Sequence, residues 1–433
     1  MLTAKQIDHK RKTAEAMLAA LPLPEGEASW VRDARARARA RFLDAGAPIK
    51  RDEYWKYTDP SQLTAPLALL PVDAEATDTP DPFAAIPARR VRFVNGCQRA
   101  DLSDDLAQPG LSAAPLREVL SQDITVFREL FGTLETAGQE KVARPLACLN
   151  TAAATEGLAL HVTGEVAEPI HLVQSQIGEG TGLVRHLVRV ESGSSLTVLE
   201  SGTASNTCLE VDLAPGAFFR HVRVQRAPEA ATATHVFARI AEGANFKTFT
   251  LTADGTLTRN EVVTELQGDD ASSHIAGAIV ARAKTHTDNT VFVTHTGERC
   301  ESRQVFKSVL ADRAKSIFQG KIFVRPGAQK TDGYQISQSV LLSEGAEFSA
   351  KPELEIYADD VACSHGSTTG ALDETALFYL RSRGVPRPEA EALLVMSFVE
   401  EAILEIEDEA LSEAMRAELA AWMAARAAEP AEA

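Results

Sequence analysis

Two textures of hydrophobic spacing divide the chain. Residues 4–43 read as helical: "WVRDARARARARFLDAG" is rich in Ala and Arg, and Gly46 follows as a stop signal. From residue 158 to 360 the helical period is replaced by short runs alternating at period 2, among them "LALHVTG", "IHLVQSQ", "LVRHLVRVESG", "FFRHVRVQR", "FKTFTLTADG" and "SIFQGKIFVRPG". These runs are rich in β-branched residues and stop at glycines, so each predicts a strand. After Gly370 the helical texture returns in three stretches. "LDETALFYLRSRG" has Asp373 as N-cap, an apolar stripe of Leu377, Phe378 and Leu380, and Gly384 as its stop. "VPRPEAEALLVMSFVEEAILEI" carries Pro388 in its first turn and a stripe of Leu393, Leu394, Met396, Phe398, Ile403 and Leu404; "LSEAMRAELAAWMAARAAE" is the third.

No helix-length segment is interleaved among the strands, which argues against a βαβ sheet. Turn signals recur instead at Gly193, Gly216, Gly243 and Gly268, with gaps of 23 (216−193), 27 (243−216) and 25 (268−243). A loose period of that size marks a coiling β-architecture in which each turn stacks its apolar face on the next. The expectation is a mainly β protein: a right-handed parallel β-helix core flanked by N-terminal and C-terminal helical segments. A β-sandwich with irregular loops is the alternative. The domains expected are residues 1–150 (helical and mixed, with a linker), 151–371 (β-helix) and 372–433 (helical). Within the first, Tyr54, Trp55 and Tyr57 of "RDEYWKYTDP" are expected to fasten the helices onto the body. The Pro- and Asp-punctuated residues 64–87 read as a linker, and the final "PAEA" as a frayed tail.

Composition narrows the function. The 433 residues are 45% hydrophobic and 24% charged, ordinary for a globular protein. A net charge of −17, from 44 basic against 61 acidic residues, argues against nucleic-acid binding and against docking on an anionic membrane. No run approaches the ~20 apolar residues that cross a bilayer, and the charged start does not resemble a signal peptide. Five scattered cysteines without a CxxC suit a reducing cytosol and rule out a disulfide framework or a self-contained zinc site. The expected location is the cytoplasm.

Nucleotide-hydrolysis, dinucleotide, zincin and nucleophile-elbow fingerprints are all missing; Gly320-Lys321 lacks the preceding glycine-rich loop. His286, Asp288 and His295 cluster in "KTHTDNTVFVTH". On a strand the first two share a face and the third points away, and polar residues on a solvated face are the expectation. Cys363 and His365, in "EIYADDVACSHGST", stand two apart on a predicted strand and so face the same way. A thiolate beside an imidazole suits zinc, copper or an iron–sulfur cluster, but four ligands are the common number, so the pair makes only half a site. The flanking Asp359 and Asp360 are expected to disfavour the thiolate, which weakens a nucleophile role. The residues alone leave a structural Cys/His pair and a shared metal site equally open.

"YWKYTD", "SRQVFKSVL", "QKTD", "LEIYADDV", "CSHG" and "LFYLRSRG", in that order, resemble the SufB/SufD family of iron–sulfur assembly proteins, most strongly over residues 301–384. The length and the missing CxxC cluster place the chain on the SufD side. The resemblance implies a scaffold without catalytic residues, complexed with a SufB-like paralogue and a SufC-like ABC ATPase that would hold the nucleotide site. It implies a transient iron–sulfur cluster shared across the SufB interface, with His365 a ligand and Cys363 its companion. It implies ATPase docking on residues 372–409, where Leu377, Phe378, Leu380, Arg381 and Arg383 lie; core packing is the competing role for the apolar ones. Ser367 stands where the family often has Ala. Nothing marks a flavin site, and flavin binding and homodimerisation without SufB are left open. The competing functions are a carbohydrate-active β-helix enzyme and a purely structural platform.

Overall fold

The computed structural model describes residues 2–21, 24–65, 80–136, 138–139, 141–178, 180–226 and 230–428. Most of the expected linker and the frayed tail therefore lie outside the described residues. Among the described residues the strands form two sheets, one of ten strands and one of nine. Successive strands alternate between the sheets, from Leu158–Val162 to Val361–Gly370, and neighbours within each sheet run parallel. This is a parallel β-solenoid of about seven turns. Its strand of origin and strand of return are one full coil apart: Ser195 stands beside Phe218, 23 residues on, and Lys315 beside Glu347, 32 residues on.

The glycine turns are the corners of the coil. Gly193, Gly216 and Gly243 adopt φ of 68°, 69° and 62°, a region that side chains resist. Each donates its amide to the corner of the next coil, to the carbonyls of Pro215, Glu242 and Asp269 at 3.2, 2.8 and 2.9 Å. That stacking makes the glycines recur once per turn.

Alternation then sorts the side chains. Inward positions of both sheets supply the central core, including Val211, Ile279, Val293 and the stacked pair Phe219–Phe246 with centroids 5.7 Å apart. Outward positions of the ten-stranded sheet (Val222, Val224, Leu251, Ala278, Val309) pack against the C-terminal helices through Val395, Val399, Ile403, Leu411, Met415, Leu419 and Trp422. These helices are Glu374–Ser382, Arg387–Ile403 and Glu409–Ala428. The expected stripe on the second holds in part: Ile403 is buried and Met396 and Phe398 pack against the same core, but Leu393 and Leu404 are exposed, and Ala390, Val395, Val399 and Ala402 are the other buried positions. The sheet selects the face with small and β-branched residues because they allow close approach.

Outward positions of the nine-stranded sheet (Leu187, Phe237, Val263, Phe292) are covered by N-terminal residues such as Trp30, Val31 and Phe131. The helical stretch there is two helices, Ala4–Ala19 and Ser29–Ala45. Two of the three aromatics, Tyr54 and Trp55, fasten as expected. Tyr54 meets Phe292 edge-on at 4.9 Å, and the Arg259 guanidinium lies 4.0 Å above the Trp55 ring. This cover overturns the solvated-face expectation for His286 and Asp288. Asp288 is fully buried, paired with Arg259 and bonded by Thr58 and Gln319; His286 bonds the same Thr58 hydroxyl at 2.9 Å. His295 does point away, into the solenoid, bonding Ser302 at 2.8 Å. Strands Arg89–Val94 and Leu111–Pro115, N-terminal to the expected boundary at residue 150, extend the two sheets. No helix among the described residues is long and apolar enough to cross a membrane.

Candidate functional site at the open end

The final coil consists of Glu347–Ile356 and Val361–Gly370, and among the described residues each strand has a neighbour on one side only. Its burial shows the loss of a neighbour: most of Val361–Gly370 is exposed. The odd-numbered residues of this strand face the solenoid axis. Cys363 packs on the small apolar cluster of Ile322, Val324, Ala328 and Ala358, and Ser367 meets the buried Ser337 hydroxyl at 3.2 Å. His365, between them, shares that face. The structure thus brings Cys363 and His365 together at an open mouth.

Their surroundings differ. Cys363 is half-buried, and its register partner is Gly333; a Cβ added there would approach Sγ to 3.2 Å. Burial pushes the thiol up from its usual range, the Asp332 charge adds to this, and a hydrogen bond from the Gly333 backbone opposes it. The acidic neighbour that acts is therefore Asp332, not Asp359 or Asp360, which sit on an exposed turn. His365 is exposed and its register partner is Gln335, itself the partner of Gln304. Gln335 donates Nε2 to Gln304 Oε1 at 2.8 Å, and both amides are wholly buried. This amide ladder was not anticipated from the sequence. The signal was Gln335, one coil and 30 residues (365−335) before His365, in the family-like "DGYQISQSV" stretch.

Among the described residues no group of three or more His, Cys, Asp or Glu side chains is placed to hold a metal ion. Cys363 and His365 offer one soft and one borderline donor, of the type iron accepts. Burial raises Cys97 and Cys300, pushes Cys148 up to about 12 and holds Cys208 well above its usual range. A serine–histidine–aspartate sequence of contacts exists at Ser201, His171 and Asp81, with Ser Oγ 2.8 Å from Nε2. However, Nδ1 stands 3.8 Å from Asp81 without a hydrogen bond, and Ser201 is buried, so the three do not form a working nucleophile.

The five docking candidates share one helix end but not one face. Leu377 is buried, Leu380 half-buried, and Arg381 and Arg383 exposed; Phe378 and Tyr379 are 74% and 56% exposed. Tyr379, missed in the sequence, carries the Arg383 guanidinium 3.5 Å from its ring centre.

A coiled two-sheet core ending in a bare thiol–imidazole edge defines the class. The family model for the SufBD core domain of SUF-system iron–sulfur cluster assembly proteins matches residues 173–398, just over half of the chain. The chain belongs to the SufBD family. It is similar to the iron–sulfur cluster assembly protein SufD of Escherichia coli, 27% identical over 88% of this chain and 90% of that one. A SufBD family protein of Synechocystis is 29% identical over 83% of this chain and 84% of its own. SufD of Bacillus subtilis is 30% identical over 60% and 63%.

Proposed function

We propose that the chain is a non-catalytic scaffold subunit of a complex for de novo iron–sulfur cluster assembly. Its open end pairs with a CxxC-bearing SufB-like paralogue, and His365, with Cys363 beside it, supplies half of the ligand set for a transient cluster, the cargo of the complex. The observation that carries this is the bare edge of Val361–Gly370. That strand, "VACSHGSTTG", has no Lys, Pro or acidic residue, the devices by which sheet edges normally repel other strands. Its counterpart Glu347–Ile356 has Lys351 and Pro352. An unguarded edge bearing half a metal site fits a partner strand that brings the other half.

The C-terminal helices dock a SufC-like ABC ATPase through the exposed end of Glu374–Ser382. Phe378 and Tyr379 are large and mostly exposed aromatic side chains, and such side chains anchor interfaces. ATP hydrolysis belongs to that partner.

Anaerobic reconstitution with both partners tests the reading. His365→Ala is expected to assemble the complex but retain little cluster absorbance; wild-type cluster yield in that variant would overturn the ligand assignment. Phe378→Asp with Tyr379→Asp is expected to lose the ATPase in pull-down while paralogue binding persists. Point changes are needed here, because removing residues 372–433 would strip the cover from the ten-stranded sheet.

A further inference from the structure

The amide ladder beneath His365 has an unfilled end. Gln335 donates Nε2 to Gln304, but its Oε1, also buried, has no hydrogen-bond partner among the described residues. Buried side-chain carbonyls are usually satisfied; this one belongs to a small set of unpartnered buried amide oxygens that includes Gln174, Gln225 and Gln319, and it is set apart by its place next to His365. The in-register neighbour on the side away from Gln304 is His365. The amide is also clamped from the facing sheet. A Cβ added at Gly320 would lie 2.2 Å from Gln335 Nε2, so only glycine leaves the amide its place.

We infer that Gln335 is a positioning residue for His365: its Oε1 accepts the ring N–H and leaves the other ring nitrogen's lone pair aimed out of the open end. This rests on His365 as a ligand. A neutral imidazole has one donor and one acceptor nitrogen, and metal-binding histidines characteristically spend the donor on a fixed acceptor. The exposed ring reaches Oε1 by side-chain rotation, a fast motion at an uncovered position. Cys363, by contrast, stands over Gly333 and Ile322, which offer no polar side chain. The two donors are therefore organised differently, one oriented by a buried acceptor and one by an apolar wall.

Two measurements on the full-length protein test this. In the chain labelled with ¹⁵N-histidine, long-range ¹H–¹⁵N spectra at pH 8 are expected to show a single tautomer for His365, kept in Gln335→Glu, which retains the acceptor, and mixed in Gln335→Leu. A mixed-tautomer ring in the wild type overturns the inference even if Gln335→Leu does not fold. In the complex with the paralogue, Co²⁺ binding followed by visible absorption is expected to weaken roughly 10–100-fold in Gln335→Leu, to recover in Gln335→Glu and to collapse in His365→Ala. If His365→Ala collapses but Gln335→Leu binds as wild type, the positioning role is wrong and the ligand stands. If His365→Ala binds Co²⁺ normally, the ligand reading itself fails.

Discussion

The two ends of the solenoid are built from the same repeat and finished differently. At the N-terminal end both sheets close with antiparallel pieces: Cys97–Gln98 folds back on Arg89–Val94, and Leu111–Pro115 runs against Leu158–Val162. Val91 and Phe93 there are fully buried. At the C-terminal end the parallel coil simply stops, and its last strands keep one neighbour each. Solenoids need capping because a terminal coil gains stacking energy from one side only. A finished end is a folding device; the unfinished end leaves the inner-face thiol of Cys363 and imidazole of His365 without a covering strand among the described residues.

The largest expected effect lies inside the coil. Phe246→Ala removes a buried ring stacked on Phe219 and should cost about 3–5 kcal/mol in urea denaturation. His365→Ala, at the bare end, should change stability by no more than about 0.5 kcal/mol. Equal costs would erase the distinction between the ends.

Acid should attack the closed half next. Burial lowers His186 to about 4, so this ring is neutral when folded and takes a proton when unfolded. The unfolded chain then binds more protons between about pH 6.5 and 4. Stability is therefore full above 6.5 and falls by a few kcal/mol on descending that window. Lower still, Glu200 and Glu261 act. Burial would raise both, but His221 and Arg223 for the first, and Arg144 and His235 for the second, outweigh it and hold each at about 2. Their contribution is present above about pH 4.5 and is lost towards 2. Hydrogen exchange at pH 4.5 should show earlier opening of strands Leu183–Val190 and Ser195–Gly202 than at pH 7.

Charging the unguarded edge should have a smaller, purely associative effect. Ser364→Lys with Thr368→Lys is expected to weaken paralogue binding about tenfold, ~1.4 kcal/mol, with an unchanged melting temperature. A matching drop in melting temperature would mean that the edge strand is structural. Smallest is the rim of the C-terminal helices, where Arg220 meets Asp408 at 3.3 Å at partial exposure. Arg220→Ala should cost about 0.2–1 kcal/mol by thermal denaturation, since the apolar contact of Val222 and Val224 remains.

Much of this was legible in one dimension. The alternating runs at 183–193, 195–202 and 218–226 coincide with strands Leu183–Val190, Ser195–Gly202 and Phe218–Arg226, because a two-residue period has one meaning wherever a strand has an inside. Asp373 caps its helix as expected, accepting from the amides of Thr375 and Ala376. What escaped was which surface would be covered. His286 and Asp288 looked solvated because the segment that buries them, around Thr58, lies 228 and 230 residues away. On Arg387–Ile403 the stripe was right for Met396, Phe398 and Ile403 but not for Leu393, because several faces of that helix are apolar and the sheet chooses among them.

The local pattern by itself therefore determined the strands, the once-per-coil glycine corners and the shared face of Cys363 and His365, all consequences of backbone geometry within a few residues. Only the tertiary structure decided that this face lies on an uncapped end, that Gln335 stands beneath His365 with an unfilled acceptor, and that Leu377 turns inward while Phe378 and Tyr379 stay out. Those outcomes depend on which coil is last and on what packs across it, and neither is encoded in the neighbouring residues.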